Sequence, residues 1–494
     1  MASRGDQPTQ AAPAGARAPA GPGAPPRDAP RDPAALLRQP AYLRLLALAA
    51  ILGAPISAAA YGFLALSSYL QKELYTHLPH GLGFASVPVW WPLPMLLVGG
   101  VLAGLAIRYL PGGGGPSPAG GFKMHPPPTA VQLPGIVLAA LATLAFGAAL
   151  GPEMPLILIG GGLATLVTKL RRMRQAPPQA VRLVGSAGSF AAISTLLGSP
   201  ITGAFLLMEA SGLGGAMLDV ALLPGLVASG VGALIFIGLD SLTGLGTFAL
   251  TLPGLPHFSR PNGAEFGWAI VIGLAAAVIG PAIHRLGLFL HGYATRRPLL
   301  AAPLAGAVVA VIAIIYTEVT GKPSSDVLFS GQTAMGTVVG QASAYSVGAL
   351  VLLVACKGLA YGVSLSAFRG GPVFPALFIG ATGGIAMSHL PGLSLVPAVA
   401  MGIAAMGTVM LTLPLTSVLL ASLLVGADAV AAMPLVIIAA AVAYVAAARL
   451  TPRPASPAGQ ASPPSPAGKA PASAARQPGS ERPVPGQPAP SGQS

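Results

Sequence analysis

The sequence predicts an all-α polytopic membrane protein, folded as an inverted-repeat bundle of tilted and broken helices. Three observations carry this. Only 8% of the 494 residues are charged and 53% are hydrophobic, whereas soluble domains carry about 25% charge. Apolar runs near the ~20-residue length of a membrane span recur through the middle of the chain. A Gly-Pro-x-x-Pro motif occurs twice, at Gly151 and Gly371, an offset of 371 − 151 = 220.

Composition sets the first bounds. With so little charge, a chain of this size cannot cover a water-facing surface, so lipid is the expected solvent for most of it. Net charge is +13, but the Lys and Arg cluster in short loops and tails. That is the positive-inside pattern of a membrane protein, not the face of a nucleic-acid binder. The single cysteine, Cys356, excludes an intrachain disulfide and reads as inert core. Residues 1–40 hold no apolar stretch that would mark a cleavable signal peptide.

Three zones follow in order. Residues 1–39 form a Pro/Ala/Gly-rich tail, 40–450 the transmembrane domain, and 451–494 a second tail of Pro, Ala, Ser and Gly. Neither tail can bury a core, so both are expected to be disordered. The domain divides into halves of about 40–215 and 216–450. Its apolar runs lie near 42–70, 91–110, 130–150, 153–169, 181–210, 220–239, 266–290, 299–317, 344–367, 372–389, 395–425 and 429–448. The stretch 130–169 reads as two short helices broken at Gly151-Pro152-Glu153-Met154-Pro155. Such breaks line a cavity rather than face lipid, because the freed backbone groups need partners. Lys169, Arg171, Arg172, Arg174 and Arg182 form one basic cluster, and Arg285, Arg296 and Arg297 another. Both clusters, and both termini, are expected in the cytoplasm.

The internal repeat points to the site. Gly151-Pro-Glu-Met-Pro-Leu-Ile-Leu-Ile-Gly160 aligns with Gly371-Pro-Val-Phe-Pro-Ala-Leu-Phe-Ile-Gly380. A second block follows in each half: Gly188, Ala191, Pro200, Thr202 and Leu206 align with Gly402, Ala405, Pro414, Thr416 and Leu420, at an offset of 214. Interrupted segments at matching places in two halves mark a midplane binding site. Proline suits the first turn of a helix, so both motifs read as helix N-termini within the membrane. Each would present free N–H groups and about half a positive charge. Two of them aimed at one point bind an anion without a buried Lys or Arg.

Glu153 is the intramembrane carboxylate of the first motif, and such a group costs several kcal/mol unless neutralised or paired. It can compete with an anion for a helix N-terminus, plugging the site when charged. Its counterpart is Val373, so one gate is expected per pore. Glu209 reads either as a proton-relay carboxylate or as a helix-end residue. Lys357 can snorkel or pair with an acid. The glycine-rich residues 112–121 either bring bare backbone N–H groups to an anion or form a plain flexible loop. No metal-ligand spacing, nucleotide loop or nucleophile motif appears, so neither an enzyme nor a cofactor is expected. His284 and His125 read as structural or solvated.

These residues resemble the CLC chloride channels and chloride/proton antiporters over roughly 42–450. Phe368-Arg-Gly-Gly-Pro-Val-Phe-Pro-Ala-Leu-Phe-Ile-Gly-Ala is similar to the family's Gly-x-Phe-x-Pro filter region. Gly151-Pro-Glu-Met-Pro155 resembles its Gly-Arg-Glu-Gly-Pro, which implies that Glu153 is the gating glutamate. Gly198-Ser-Pro-Ile-Thr-Gly-Ala-Phe-Leu-Leu-Met-Glu209 is similar to the helix that follows, and Gly114-Gly-Pro-Ser-Pro118 stands where the family has Gly-Ser-Gly-Ile-Pro. The resemblance implies a homodimer with one pore per subunit in the plasma membrane, carrying a small inorganic anion, chloride first. Gly115, Ser117, Gly151, Met154, Gly371, Val373 and Phe374 would bind the anion. There are departures. Pro152 and Met154 replace the gating motif's Arg and second Gly, and Pro372 has no N–H. The filter serine is either Ser117, shifted, or absent with Gly115 in its place. The filter tyrosine has no counterpart, and the internal proton-pathway glutamate falls at Ala210. A secondary transporter of another anion or an organic solute is the alternative, but it would need more polar residues in the apolar runs.

Overall fold

Broken helices dominate the computed structural model of the chain, which describes residues 38–168, 178–212, 216–252 and 254–450. The basic cluster at Lys169, Arg171, Arg172 and Arg174, and the tails 1–37 and 451–494, lie outside the described residues. α1 (Pro40–Lys72) crosses and runs through a π-helical turn (Glu73–His77) into the short α2 (Leu78–Gly81). α3 (Pro92–Tyr109) returns, so the glycine-rich segment 112–121 lies on the side where α1 starts. α4 (Leu133–Leu144), α5 (Glu153–Thr168), α6 (Pro178–Ala192), α7 (Pro200–Ser211) and α8 (Ala216–Thr243) complete the first half, so the halves meet between Thr243 and Gly263 rather than near 215, because α8 packs back on α1. The second half comprises α9 (Gly263–Ala294), α10 (Pro298–Thr320), α11 (Gln332–Gly340), α12 (Val347–Ala367), α13 (Val373–Met387), α14 (Leu395–Leu411), α15 (Pro414–Val425) and α16 (Ala429–Leu450). Among the described residues, seven helical stretches are long and apolar enough to span a membrane, while α4, α5, α13 and α14 are shorter.

Two runs read as continuous are each two helices. The run 181–210 breaks where Gly198 takes a left-handed φ of 83°, Ser199 caps and Pro200 starts α7. The run 395–425 breaks at left-handed Thr412 (φ 59°), before Pro414 starts α15. Proline has no N–H to continue the preceding helix and is pre-set for a first turn. The nine-residue α11 does not read as an apolar run because five of its residues are Gly, Gln or Thr.

The halves are related by a pseudo-two-fold axis, and hydrogen bonds mark where it passes. Gly151 N–H donates to the Gly371 carbonyl at 2.8 Å, and Gly371 N–H returns the bond to Gly151 at 2.6 Å. They form an isolated antiparallel bridge. Residues at an offset of 220 that donate to each other are what a dyad imposes, and antiparallel pairing makes the repeat inverted. Helix packing repeats accordingly: α1 lies on α8 as α9 lies on α16, and α5 on α6 as α13 on α14.

Small residues permit these contacts. A Cβ on Gly160 would overlap the Gly188 carbonyl, and one on Gly188 the Gly160 carbonyl. Gly380 and Gly402, their counterparts, meet in the same reciprocal way. Association in lipid relies on such close backbone approach, since apolar burial between helices supplies little drive there. Gly402→Ala should therefore push α14 off α13 and give aggregated protein by size-exclusion chromatography. Gly267→Ala, where a Cβ meets nothing within 4 Å, should leave the elution profile unchanged.

Candidate functional site

The two Gly-Pro-x-x-Pro segments start α5 and α13 as the repeat predicts, with Pro155 and Pro375 each at the third helical position. Pro152 and Pro372 lie just before the first turns. Helix initiation leaves the N–H groups of Val373 and Phe374 without intrahelical acceptors, and Pro375 has none to offer. They find an acceptor across the dyad. The Glu153 carboxylate, fully buried, takes the Val373 N–H on Oε1 in a very short hydrogen bond and the Phe374 N–H at 3.1 Å. Glu153 thus binds the backbone of its own symmetry mate. Its Oε2 has no hydrogen-bond partner among the described residues.

Both flanking glycines are required by this carboxylate. A Cβ on Gly151 would fall 2.7 Å from Glu153 Cδ, and one on Gly371 would overlap that same atom. The structure therefore gathers Gly151, Glu153, Gly371, Val373 and Phe374. Met154 follows in the first turn of α5 with its side chain buried. Gly115 lies apart from these: a Cβ there would meet Leu158 of α5 at 3.3 Å and Ile136 of α4 at 3.5 Å. The Ser117 hydroxyl turns to α9, 3.3 Å from His291 Nδ1, and accepts from Ala119 N–H. His291 Nδ1 is also 3.0 Å from the Ser366 carbonyl, so it carries the proton there. Of the two alternatives for the filter serine, Gly115 is the residue beside the α5 wall and Ser117 is engaged with His291.

Glu209, near the end of α7, caps another helix. Its Oε1 accepts from Leu415 N–H at 3.0 Å, and its Oε2 from Thr416 N–H at 2.7 Å and Thr416 Oγ1 at 2.6 Å. The reason is local. α7 has Ser199 to accept its Ile201 N–H, whereas Leu413 precedes α15 and offers no side-chain acceptor. Such a first turn is satisfied only from elsewhere.

Lys357 does not snorkel, and it forms no ion pair among the described residues. Its fully buried Nζ donates to the carbonyls of Leu328 (2.7 Å) and Phe329 (3.0 Å) and lies 4.8 Å from the Phe378 ring centre. His284 Nε2 donates to Ala119 O. Tyr361 was not singled out by sequence reasoning. Buried on α12, it donates its hydroxyl to the Pro372 carbonyl at 2.8 Å, just ahead of the Val373 and Phe374 donors. Nothing at the sequence level distinguishes this tyrosine from nine others in the chain.

A cavity of about 340 Å³ opens in front of Leu150 and Pro152. It is walled by the end of α1 (Ser67, Ser68, Gln71), by Thr251, and by the start of α11 (Gln332, Thr333, Thr337). Those elements lie on the side opposite the glycine-rich segment. No charged side chain lines it among the described residues.

The bundle and its dyad-centred pair of helix N-termini define an inverted-repeat membrane transporter whose site favours negative charge. The comparisons sharpen this. The family described as "Voltage gated chloride channel" matches residues 95–448. YfeO of Escherichia coli (strain K12 / DH10B), whose name assigns it to ion transport, is 31% identical over 346 residues, covering 66% of this chain and 75% of that protein. Among solved structures, a slow cyanobacterial Cl-/H+ antiporter superposes with a TM-score of 0.65 at 19% identity, over 82% of this chain and 95% of its own. A CLC-type fluoride/proton antiporter gives 0.57 at 18% identity, over 82% and 95% respectively. The chain belongs to the CLC (voltage gated chloride channel) family. It is a multi-pass anion transporter and not an enzyme.

Removing the Glu209 cap tests its structural weight. Glu209→Ala should cost about 1–2 kcal/mol, seen as a lower melting temperature in detergent by intrinsic fluorescence. Glu209→Gln, which keeps an acceptor oxygen, should recover a good part of the loss.

Proposed function

We propose that the chain moves chloride through a pore in each subunit, with Glu153 as its gate. One observation carries this reading: the carboxylate occupies the N–H groups of Val373 and Phe374, the donors a small anion would use. Ionised, Glu153 supplies the negative charge that the helix N-terminus attracts. Once protonated, it is a weaker acceptor and yields the donors to the anion. The neutral, hydroxyl-lined cavity ahead of Pro152 serves as the entrance from the side on which α1 ends.

The chain's orientation follows from its basic residues. Arg38, Arg44, Arg108, Arg182, Arg285, Arg296, Arg297 and Arg449 cluster at helix ends on the side where α1 starts, against Lys72, Arg260 and Lys322 on the other. By the positive-inside rule the former side is cytoplasmic, with both termini in it, and the membrane is the plasma membrane. Family membership supports a homodimer, and exposed Ile201 and Leu415 at the starts of α7 and α15 offer apolar surface for it.

Chloride efflux from proteoliposomes, recorded with a chloride and a pH electrode together, tests the reading. Flux should rise as pH falls, because protonation releases the plug. Glu153→Ala should flatten that pH dependence and abolish any proton movement coupled to chloride. Uphill proton movement in the wild type marks an antiporter, and its absence a channel. Wild-type vesicles that release no chloride, nitrate or fluoride under a gradient rule the proposal out.

A further inference from the structure

Tyr361 is a fully buried phenol on α12 that donates to backbone rather than to the Glu153 carboxylate. Its acceptor, the Pro372 carbonyl at 2.8 Å, belongs to the same peptide unit as the Val373 N–H. A trans peptide is planar and points its C=O and N–H in opposite directions. The unit is therefore held from both sides. The phenol binds its oxygen, and Glu153 Oε1 accepts from its N–H. Hydrogen bonds in such a chain polarise one another, strengthening each by roughly 10–30%.

One torsion sets the direction of this unit. The ring of Pro372 restricts φ, so ψ alone turns the peptide plane. Pro372 has φ −91° and ψ −3°. Ser199, Asn262, Ser346 and Ser394, which precede α7, α9, α12 and α14, have ψ between 140° and 165°. An extended ψ of that kind at Pro372 would rotate the 372–373 plane by nearly half a turn and carry the Val373 N–H away from Glu153. Pro372 makes no side-chain cap to α13, and the phenol fixes ψ in its place.

The surrounding sequence concentrates the load on this peptide. Pro372 and Pro375 have no N–H, so Val373 and Phe374 carry the donation between them. The tyrosine also falls on the half that donates. It stands ten residues before Gly371 (371 − 361 = 10), where the first half has Leu141 before Gly151 (151 − 141 = 10). There the Pro152 carbonyl accepts the Leu156 N–H of its own helix at 3.0 Å. Three residues along α12, Ser364 Oγ accepts the Ala149 N–H at 3.1 Å. Positions three apart share a helix face, so this face of α12 steadies the backbone ahead of both motifs.

We propose that Tyr361 is a positioning residue for anion transport: its hydroxyl locks the 372–373 peptide with the Val373 N–H facing Glu153, and so sets the strength of the donor that Glu153 and the anion share. The role rests on the Glu153-gated reading and deepens it.

Chloride binding to purified protein, by isothermal titration calorimetry, tests this separately from flux. Glu153→Ala, which removes the competing carboxylate, provides the background. Adding Tyr361→Phe should weaken chloride affinity at least about fivefold, the effect of one lost buried hydrogen bond. Adding Tyr361→3-fluorotyrosine, whose fluorine makes the hydroxyl a stronger donor, should tighten binding about twofold. Tyr345→Phe, which removes a buried hydroxyl from Asp326, provides the comparison: it should lower the melting temperature and leave chloride affinity unchanged. Equal affinity in the Tyr361 and Tyr361→Phe proteins overturns the role. So does a fluorotyrosine protein as weak as the Phe protein, or an equal loss on Tyr345→Phe. Should Tyr361→Phe not purify monodisperse, the fluorotyrosine protein decides alone: tighter binding supports the role, and unchanged or weaker binding overturns it. Glu153→Ala protein that binds no chloride rejects the anion-site reading and this role together, whereas chloride bound equally whatever stands at 361 rejects this role alone.

Discussion

A helix that begins inside a bilayer has donors and no water to satisfy them. Its first N–H groups must meet an acceptor from another part of the protein or from a ligand, since each unpaired group costs several kcal/mol in hydrocarbon. This fold starts α13 at its buried centre and other helices nearer the surface, and several of its carboxylates cap these starts. Glu153 serves α13, Glu209 serves α15, and Glu265 serves both its own α9 and the Ser394 N–H before α14. Of the 13 acidic residues in 494, Glu153, Glu209 and Glu265 stand where backbone donors would otherwise be orphaned, while buried Asp326 accepts from the Tyr316 and Tyr345 hydroxyls.

These caps differ in how replaceable the acceptor is. Glu209 receives three hydrogen bonds and uses both oxygens, so nothing is gained by leaving. Glu153 uses one oxygen and leaves the other without a partner in a buried setting. On the proposed reading, that asymmetry makes Glu153 the cap an incoming anion displaces. The same chemistry holds one helix firmly and another provisionally.

Small residues set the geometry that makes this exchange possible. Gly151 and Gly371 vacate the space the carboxylate occupies, and their reciprocal bridge fixes the dyad there. Gly160 with Gly188, and Gly380 with Gly402, seat α5 and α13 on their neighbours at backbone distance. The high glycine content is thus a packing requirement of the helices that carry the site.

Membrane insertion, most of the apolar runs, the repeat and the place of Glu153 at a helix start were legible in the sequence. Each depends on local composition or on a pattern copied from one half to the other. The breaks at Ser199 and Leu413 were harder to see, because Ala-rich flanks hide a single left-handed residue within a long apolar run. The partners of Glu209, Lys357, Tyr361 and Arg369 could not be read at all. Each lies on a helix or loop whose neighbour comes from elsewhere in the chain, as when Arg369 meets Gly113 across 256 positions. Composition and repetition therefore determined the solvent, the architecture and the residue at the centre. Tertiary packing alone decided which backbone donors each charged side chain satisfies, because helix ends distant in sequence meet only when the two halves close around their shared axis.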